Sequence, residues 1–274
     1  MDRQVAAQLG RETVEILETG SYTNSFGNLV SIQEQTTRAV AGTVTYPPDV
    51  QVITANTGTL ETRVEVTSET TLAAAYRLGR DGQKPVALNF ASAKKPGGGF
   101  LNGARAQEES LARASGLYAC IRDNPIYAFH KEHPDPIYAS YVIYSPAVPV
   151  FRDDDGALLD EPYPCAFITA AAPNAKIVLK SAPSRQGEVR AAMDERIHRV
   201  LGIAAMHEHD ALVLGAWGCG VFGNDTDMVA QLFRSALDDA FRGAFERVIF
   251  AIADPSGDRH FIAPFEKRFG QEST

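Results

Sequence analysis

Apolar residues recur along the chain with two spacings, one typical of strands and one typical of helices. Segments of the two kinds alternate, which predicts an α/β protein. From residue 85 onward, short apolar segments are typical of buried strands, and longer segments with apolar residues at helical spacing follow them. The predicted strands are 86–90, 141–145, 165–170, 211–216 and 247–253, and the predicted helices are 107–122, 190–207 and 227–241. Strands that alternate with helices favour an α/β sandwich with a mixed or mostly parallel sheet.

The first sixty residues have a different pattern. Helical spacing predicts helices over 3–18, with Gly20 as the stop, and over 32–40. Two consecutive prolines, Pro47 and Pro48, cannot donate to a sheet ladder. We therefore expect an extended segment only after them, over 50–55. We interpret residues 1–60 as a helical N-terminal extension and 61–274 as the catalytic core.

A strand and a helix open the core. Alternating residues predict a strand over 63–67, and helical spacing follows over 69–78. Ser68 is in position to cap this helix. The segment Thr67-Ser68-Glu69 could instead contact a ligand, and capping is the simpler of the two interpretations.

Charge and cysteine content narrow the classes of function. The 274 residues carry a net charge of −8, which argues against duplex DNA binding because that depends on many Lys and Arg contacts to phosphate. A polyanionic ligand would have to be held by backbone N–H groups in a shaped pocket. Cys120, Cys165 and Cys219 form no CxxC pair, so a reducing compartment fits best.

The chain shows neither a secretory leader nor a membrane span. Its first residues are charged and amphipathic, and no run of 18 apolar residues occurs. We therefore expect a cytoplasmic protein without membrane partners.

The segment from Asn89 to Glu109 carries the strongest chemical signal. It leaves a predicted strand, passes through Gly97-Gly98-Gly99, and enters a helix at Gln107-Glu108-Glu109 after seven further residues. Three consecutive glycines cost backbone entropy, which is tolerated where a ligand must approach the backbone closely. Two acids in the first turn could simply favour the positive end of the helix dipole. Their combination with the glycine loop favours a functional site.

This motif resembles the signature of poly(ADP-ribose) glycohydrolases, and the surrounding residues 89–118 resemble the short bacterial branch of that family. The resemblance implies a macrodomain-like three-layer α/β/α sandwich and no cofactor or metal. It implies that Glu109 is the catalytic acid and that Glu108 positions ribose hydroxyl groups. It further implies substrate-binding roles for the residues of the loop and its flanks, which are Asn89, Gly97, Gly98, Gly99 and Gln107.

The chemistry of the implied reaction suits these residue types. Cleavage of a bond between two riboses passes through an oxocarbenium-like state, and a general acid must protonate the departing 2′-oxygen. A glutamate can do so when burial and a nearby carboxylate raise its pKa. Neighbouring helical residues point about 100° apart, so we expect one acid/base and one positioning residue.

A second glycine-rich loop follows the predicted strand 211–216. Gly218, Gly220 and Gly223 form a GxGxxG pattern that is also typical of dinucleotide-binding folds. About fifty residues follow it, which is too few for the remaining strands of such a fold. A diphosphate cradle fits better, because glycines expose backbone N–H groups at the start of a helix. The family resemblance implies substrate binding by this loop, with Val221 beside the diphosphate and Phe222 near a ribose or the adenine; the residues are Gly218, Cys219, Gly220, Val221 and Phe222.

Other interpretations remain open at this stage. The chain could be a macrodomain that binds ADP-ribose without catalysis, or a hydrolase of a related metabolite such as O-acetyl-ADP-ribose. Cys219 could be a nucleophile, although no histidine is near it in sequence. Two histidine pairs lack the partners that metal sites need, namely His130 with His133 and His207 with His209. The expected function is release of ADP-ribose from poly(ADP-ribose), mainly at chain ends, with ADP-ribosylated proteins as partners.

Overall fold

A computed structural model describes residues 1–52, 58–254 and 256–270. Its strands are β1 (Ser21–Thr23), β2 (Leu29–Ser31), β3 (Val44–Tyr46), β4 (Arg63–Thr67), β5 (Pro85–Phe90), β6 (Val142–Arg152), β7 (Leu158–Ala170), β8 (Ala211–Leu214) and β9 (Arg247–Ala251). Its helices are α1 (Arg3–Thr19), α2 (Gln33–Ala41), α3 (Thr71–Arg80), α4 (Gln107–Ala114), α5 (Leu117–Ile121), α6 (Ile126–Glu132), α7 (Ala175–Ser181), α8 (Gln186–Met206), α9 (Thr226–Asp238) and α10 (Ala263–Phe269).

Seven strands form one mixed sheet in the order β3-β6-β7-β5-β8-β9-β4. The five strands from β7 to β4 run parallel to their neighbours, whereas β6 is antiparallel to both β7 and β3. Strand β8 is buried along its whole length, as expected for a central parallel strand covered on both faces. The carboxyl ends of the parallel strands therefore meet at one edge of the sheet.

Alternation along the strands builds two cores. Leu212 and Leu214 pack on one face with α8, α9 and α10, whereas Val213 between them packs on the other face with α3, α4 and α5. Successive side chains of a strand point to opposite faces, so one apolar run supplies both layers. The result is the expected three-layer α/β/α sandwich.

The expected helix over 107–122 is two helices, so that prediction was wrong. The chain leaves α4 at Ser115, whose backbone is extended and bridges Val150. The Ser115 hydroxyl donates to the Leu111 carbonyl and accepts from the Leu117 N–H, which ends one helix and starts the next. A serine hydroxyl competes with helical backbone bonds in this way.

The extended segment expected after the two prolines was also misplaced. Strand β3 ends at Tyr46, directly before Pro47, and pairs with β6. The prolines end the strand instead of preceding it. Residues 53–55 of the expected segment lie outside the described residues.

The cap of α3 is Thr70 and not Ser68. Its hydroxyl accepts from the Ala73 N–H at 3.1 Å. Ahead of the helix, the Thr67 hydroxyl donates to Glu69, which also forms an ion pair with Arg77.

Helix α1 supports the first glycine loop. The Thr13 hydroxyl donates to the Arg113 carbonyl at the end of α4, and Arg3 donates to the Asn102 carbonyl. Gly10 lies so close to Phe100 that a Cβ there would be 2.8 Å from its carbonyl oxygen.

Among the described residues, no helix is both long and apolar enough to cross a membrane.

Candidate active site

A cavity of about 490 Å³ opens at the carboxyl ends of the parallel strands. The segments that follow β4, β5, β7, β8 and β9 all contribute to its wall, together with the start of α4. Its volume is in the range of sites that hold one small molecule. Open parallel sheets bind ligands at this edge because strand ends and helix N-termini converge there.

Gln107 joins the start of α4 to the end of β5. Its side-chain oxygen accepts from the Phe90 N–H at 2.9 Å, and its amide donates to the Leu88 carbonyl at 2.7 Å. The amide also donates to the Thr71 hydroxyl. These bonds fix the position of α4 relative to β5 and its rotation about its own axis. Glu108 and Glu109 therefore face the cavity in a defined direction.

Glu108 lies in the cavity wall and is almost fully buried, with 3% of its surface exposed. One carboxyl oxygen accepts from the Ser92 N–H at 2.7 Å. Burial raises the pKa of the Glu108 carboxyl to about 8; the Ser92 N–H opposes this increase and the charge of Glu109 adds to it. The raised pKa was expected for the general acid, Glu109, and the structure shows it at Glu108, the expected positioning residue.

Glu109 lines the same cavity. Its Oε1 accepts from the Gly99 N–H at 2.9 Å, and among the described residues its Oε2 has no hydrogen-bond partner. One carboxyl oxygen is thus fixed by the glycine loop, while the other is a buried polar atom without a partner among the described residues, the kind of atom to which a bound ligand would supply a hydrogen bond. The two glutamates are held by different backbone segments, as their angular separation on the helix requires.

The three glycines lie behind these carboxylates. Gly97 and Gly98 have positive φ values of 67° and 60°, which disfavour residues with a Cβ. A Cβ at Gly98 would fall well inside contact distance of Glu109 Oε1 and would lie 3.0 Å from Glu108 Oε2. The loop can approach both acids because it has no side chains. Direct contact of the substrate-binding candidates Gly97, Gly98 and Gly99 with substrate stays a prediction.

Asn89 also lies behind the cavity wall. It is fully buried at the end of β5 and donates to the Thr169 hydroxyl at 3.2 Å. Its amide is close enough to Glu108 to lower the pKa of that carboxyl, against the larger effect of burial. Asn89 therefore lies beside Glu108, and any contact with substrate stays a prediction.

The second glycine loop forms the opposite wall. Gly218 has φ +74°, and a Cβ there would be 2.5 Å from the Ala172 Cβ and 2.6 Å from Asn224 Nδ2. The Asn224 amide donates to the Gly218 and Pro173 carbonyls, which ties the loop to the end of β7. In contrast, a Cβ at Gly220 would meet no atom within 4 Å, so the chain's own packing does not demand glycine there.

Val221 and Phe222 present apolar side chains at this wall. Val221 is 78% exposed, which is unusual for an aliphatic residue and leaves it free to contact a ligand. Phe222 is half-buried, and its carbonyl accepts from the Lys176 N–H at 2.9 Å. Phe222 therefore lines the cavity and also packs against the hydrophobic core.

Cys219 points to the other side of the loop. It is 5% exposed and lies at a second, smaller cavity of about 280 Å³ that Asn224 and His260 also line. Burial raises the pKa of its thiol to about 12, which disfavours the thiolate that a nucleophile needs.

The histidine pairs have hydrogen-bonding roles. His130 bonds the Ala93 carbonyl through Nδ1 and accepts from the Ala139 N–H through Nε2. His207 bonds the Tyr46 hydroxyl and His209 bonds the Tyr144 hydroxyl. Across the described ranges, no group of three or more His, Cys, Asp or Glu residues is arranged to hold a metal ion.

Sequence reasoning missed several residues at the cavity. Phe261, Arg105 and Asp154 contribute to its wall from separate segments, and Asp154 accepts from the Thr70 hydroxyl at 2.6 Å. Arg105 lies in the seven-residue spacer between Gly99 and Gln107, where no single residue stood out, and Phe261 belongs to no local motif. The turn that carries Asp154 resembles any exposed acidic turn. Only the folded chain brings them to the strand ends.

Matches to known proteins identify the family. The model of the microbial-type PARG catalytic domain matches residues 10–153. The crystal structure of poly(ADP-ribose) glycohydrolase from Thermomonospora curvata is 48% identical, with a TM-score of 0.93 over 97% of this chain and 100% of that one. The same enzyme bound to the inhibitor ADP-HPD gives a TM-score of 0.92 over the same shares of both chains. The Deinococcus radiodurans enzyme in complex with ADP-ribose is 44% identical, with a TM-score of 0.83 over 88% of this chain and 99% of that one. No curated sequence matches the chain.

The fold and the paired glutamates at the strand ends define a glycosyl hydrolase with a macrodomain-like sandwich. The chain belongs to the microbial-type poly(ADP-ribose) glycohydrolase family. The family resemblance of the sequence motif is thereby confirmed.

The raised pKa of Glu108 predicts a pH-dependent stability. In the folded protein the Glu108 carboxyl keeps its proton up to about pH 8, whereas in the unfolded chain it loses this proton near its ordinary pKa of 4.5. The protonated carboxyl therefore contributes its full share to the free energy of unfolding below the unfolded-state pKa, and this contribution is lost as the pH rises toward 8. The melting temperature of Glu108→Gln should therefore fall less than that of the wild type between about pH 5 and pH 8.

Calorimetry of both proteins across this pH range tests the prediction. Glu18→Gln, at an exposed position on α1, is the matched control and should follow the wild type. Equal slopes for the wild type and Glu108→Gln would contradict it.

Proposed function

We propose that the protein hydrolyses the ribose–ribose O-glycosidic bonds of poly(ADP-ribose), mainly from chain ends, and releases ADP-ribose. The observation that carries this proposal is the Glu109 carboxyl in the wall of a cavity sized for one small molecule, with Oε1 fixed by Gly99 and with Oε2 buried and without a partner among the described residues. Such a cavity accommodates a terminal unit more readily than a run of polymer. The related enzymes that bind ADP-ribose and ADP-HPD support the same ligand class here.

In the proposed mechanism Glu109 is the general acid. It protonates the departing 2′-oxygen as the bond to the terminal ribose breaks and positive charge develops on that ribose. The Glu109 carboxylate then takes a proton from the attacking water. The Gly99 N–H holds Oε1, so the carboxyl group stays in place during both transfers. No cofactor enters the reaction.

Glu108 has the positioning role in this mechanism. Its buried carboxyl would accept a hydrogen bond from one hydroxyl group of the terminal ribose, or donate one to it. Its raised pKa keeps this carboxyl protonated near neutral pH, so it can donate a hydrogen bond to a ribose hydroxyl oxygen. One carboxyl can then transfer the proton while the other orients the sugar.

The second glycine loop is the proposed diphosphate site. This loop lines the same cavity as the two glutamates through Gly218, Gly220, Val221 and Phe222, whereas the start of α9 lines the second cavity. This arrangement suits a polyanion on an acidic protein, because backbone N–H groups supply the attraction. Duplex nucleic acid is not an expected partner.

The remaining assignments follow from the same proposal. ADP-ribosylated proteins are the expected macromolecular partners, because they carry the polymer. We retain residues 1–60 as an N-terminal extension that supports the glycine loop and adds β3 to the edge of the core sheet, and residues 61–274 as the catalytic core. A cytoplasmic location is consistent with three free, buried cysteines.

The decisive experiment is incubation of the purified protein with poly(ADP-ribose), followed by chromatography of the products. Early release of free ADP-ribose without shorter oligomers is expected for attack at chain ends. Early accumulation of oligomers would contradict that preference. Binding of ADP-ribose without any release would favour a non-catalytic binding module instead.

A further inference from the structure

A strained tyrosine lies just beyond the cavity. Tyr138 has φ +61°, a conformation that a bulky residue rarely adopts. Such strain persists only where the surroundings impose it, and it concentrates at functional sites. The segment that carries Tyr138 connects α6 to β6 and is far in sequence from both glycine loops.

Two buried side chains impose this conformation. Arg196 on α8 is 1% exposed and donates to the carbonyls of Ile137 and Tyr138, at 2.6 and 2.5 Å, and to the Ala171 carbonyl at 3.1 Å. His130 accepts from the N–H of Ala139, the next residue. A buried guanidinium is costly to desolvate, so its use on main-chain carbonyls indicates that the position of this segment matters.

The Tyr138 ring lies against the wall of the cavity. Its centroid is 6.2 Å from that of Phe222, at an interplanar angle of 48°. Phe222 lines the cavity. Tyr138 packs beside Phe222, is half-buried and does not belong to the cavity lining. His130 lies on its other side with a centroid separation of 5.6 Å, so the ring has little freedom to turn away.

The chemistry of the polymer gives this position a ligand. When the terminal ADP-ribose fills the cavity, the 2′-oxygen that departs belongs to the adenosine of the second unit. That adenosine must therefore lie outside the cavity, next to the terminal ribose. An adenine has a flat π-face, and a fixed aromatic ring is the side chain on which bases stack.

We propose that Tyr138 is a specificity-determining residue that stacks on the adenine of the second unit of poly(ADP-ribose), outside the cavity and beside Phe222. This inference rests on the proposed function. Tyr138 would then favour substrates with at least two units over free ADP-ribose, which has no second adenine. Its strained backbone places the ring before the substrate arrives, so little ordering is needed on binding.

Tyr138→Gly and Tyr138→Phe form the matched pair that tests this proposal. Glycine adopts φ +61° without strain but has no ring, whereas phenylalanine retains the ring. For an oligomer of two units, Tyr138→Gly should raise KM on the order of tenfold. The Kd of free ADP-ribose, measured by calorimetry, should remain at the wild-type value. Tyr138→Phe should restore the wild-type KM. Tyr138→Asn, which also tolerates positive φ and lacks a ring, should reproduce the glycine result if the glycine variant is unstable.

The other outcomes overturn the inference. An unchanged KM for Tyr138→Gly or Tyr138→Asn would show that the ring contributes nothing to substrate binding. Equal losses for the oligomer and for free ADP-ribose would show a structural effect transmitted through Phe222. If the wild type released no ADP-ribose from the oligomer, the proposed function itself would fail, and the stacking role with it.

Discussion

Glu109→Gln is expected to lower the turnover of poly(ADP-ribose) by about 10²- to 10⁴-fold, the usual contribution of a general acid. The glutamine retains an oxygen that can accept from the Gly99 N–H, so the side chain should stay in place. What it loses is the proton that the departing oxygen requires. The affinity for ADP-ribose should change little, because the shape and hydrogen bonding of the wall are preserved.

Glu108→Gln is the matched comparison, because both residues start α4 and line one cavity. A positioning role predicts a larger effect on KM than on kcat. The raised pKa of Glu108 makes the reverse assignment a real alternative, since a group that is protonated near neutral pH can also serve as an acid. A large loss of kcat in Glu108→Gln, with a small one in Glu109→Gln, would assign the acid to Glu108.

The sequence predicted the central features of the fold because they depend on local patterns. Parallel strands buried on both faces are continuous apolar runs, and β5, β8 and β9 all have this character. Both glycine loops follow such strands, so their convergence at one edge of the sheet follows from the topology. This is why both walls of the cavity could be anticipated from the residue pattern.

Features that depend on particular side-chain bonds could not be predicted in the same way. Helical spacing continues through Ser115, and only its hydroxyl bonds to Leu111 and Leu117 reveal the break. Strand β6 extends beyond its predicted end because a register shift between Ser145 and Val148 accommodates Pro146, and Pro149 pairs in register with Pro164 of β7. Arg196 donates to the Tyr138 carbonyl across 58 residues of sequence. A contact between such distant positions produces no local pattern in the sequence.

Gly98→Ala is expected to reduce turnover by about 10²-fold or more without altering any group that reacts. An added Cβ would lie 2.9 Å from the Glu109 Cδ and closer still to the Oε1 that Gly99 holds. Real Cβ atoms do not approach so closely, so the carboxyl group must move. A displacement of about 1 Å at a reacting group can cost about 10²-fold in rate. The φ of +60° at Gly98 adds a backbone cost of about 1–2 kcal/mol in stability.

Gly82→Ala separates the displacement of Glu109 from this backbone cost. Gly82 has φ +86° and is exposed in the turn before β5, where an added Cβ would meet no atom within 4 Å. Both variants should therefore lose similar free energy of unfolding, and only Gly98→Ala should lose kcat. Melting temperatures and initial rates on poly(ADP-ribose) make the comparison. If Gly98→Ala retained wild-type turnover, the precise placement of Glu109 by the glycine loop could not be what sets the rate. If both variants lost turnover equally, the loss would come from general destabilisation, and the triple glycine would have no specific role in holding the catalytic carboxyl group.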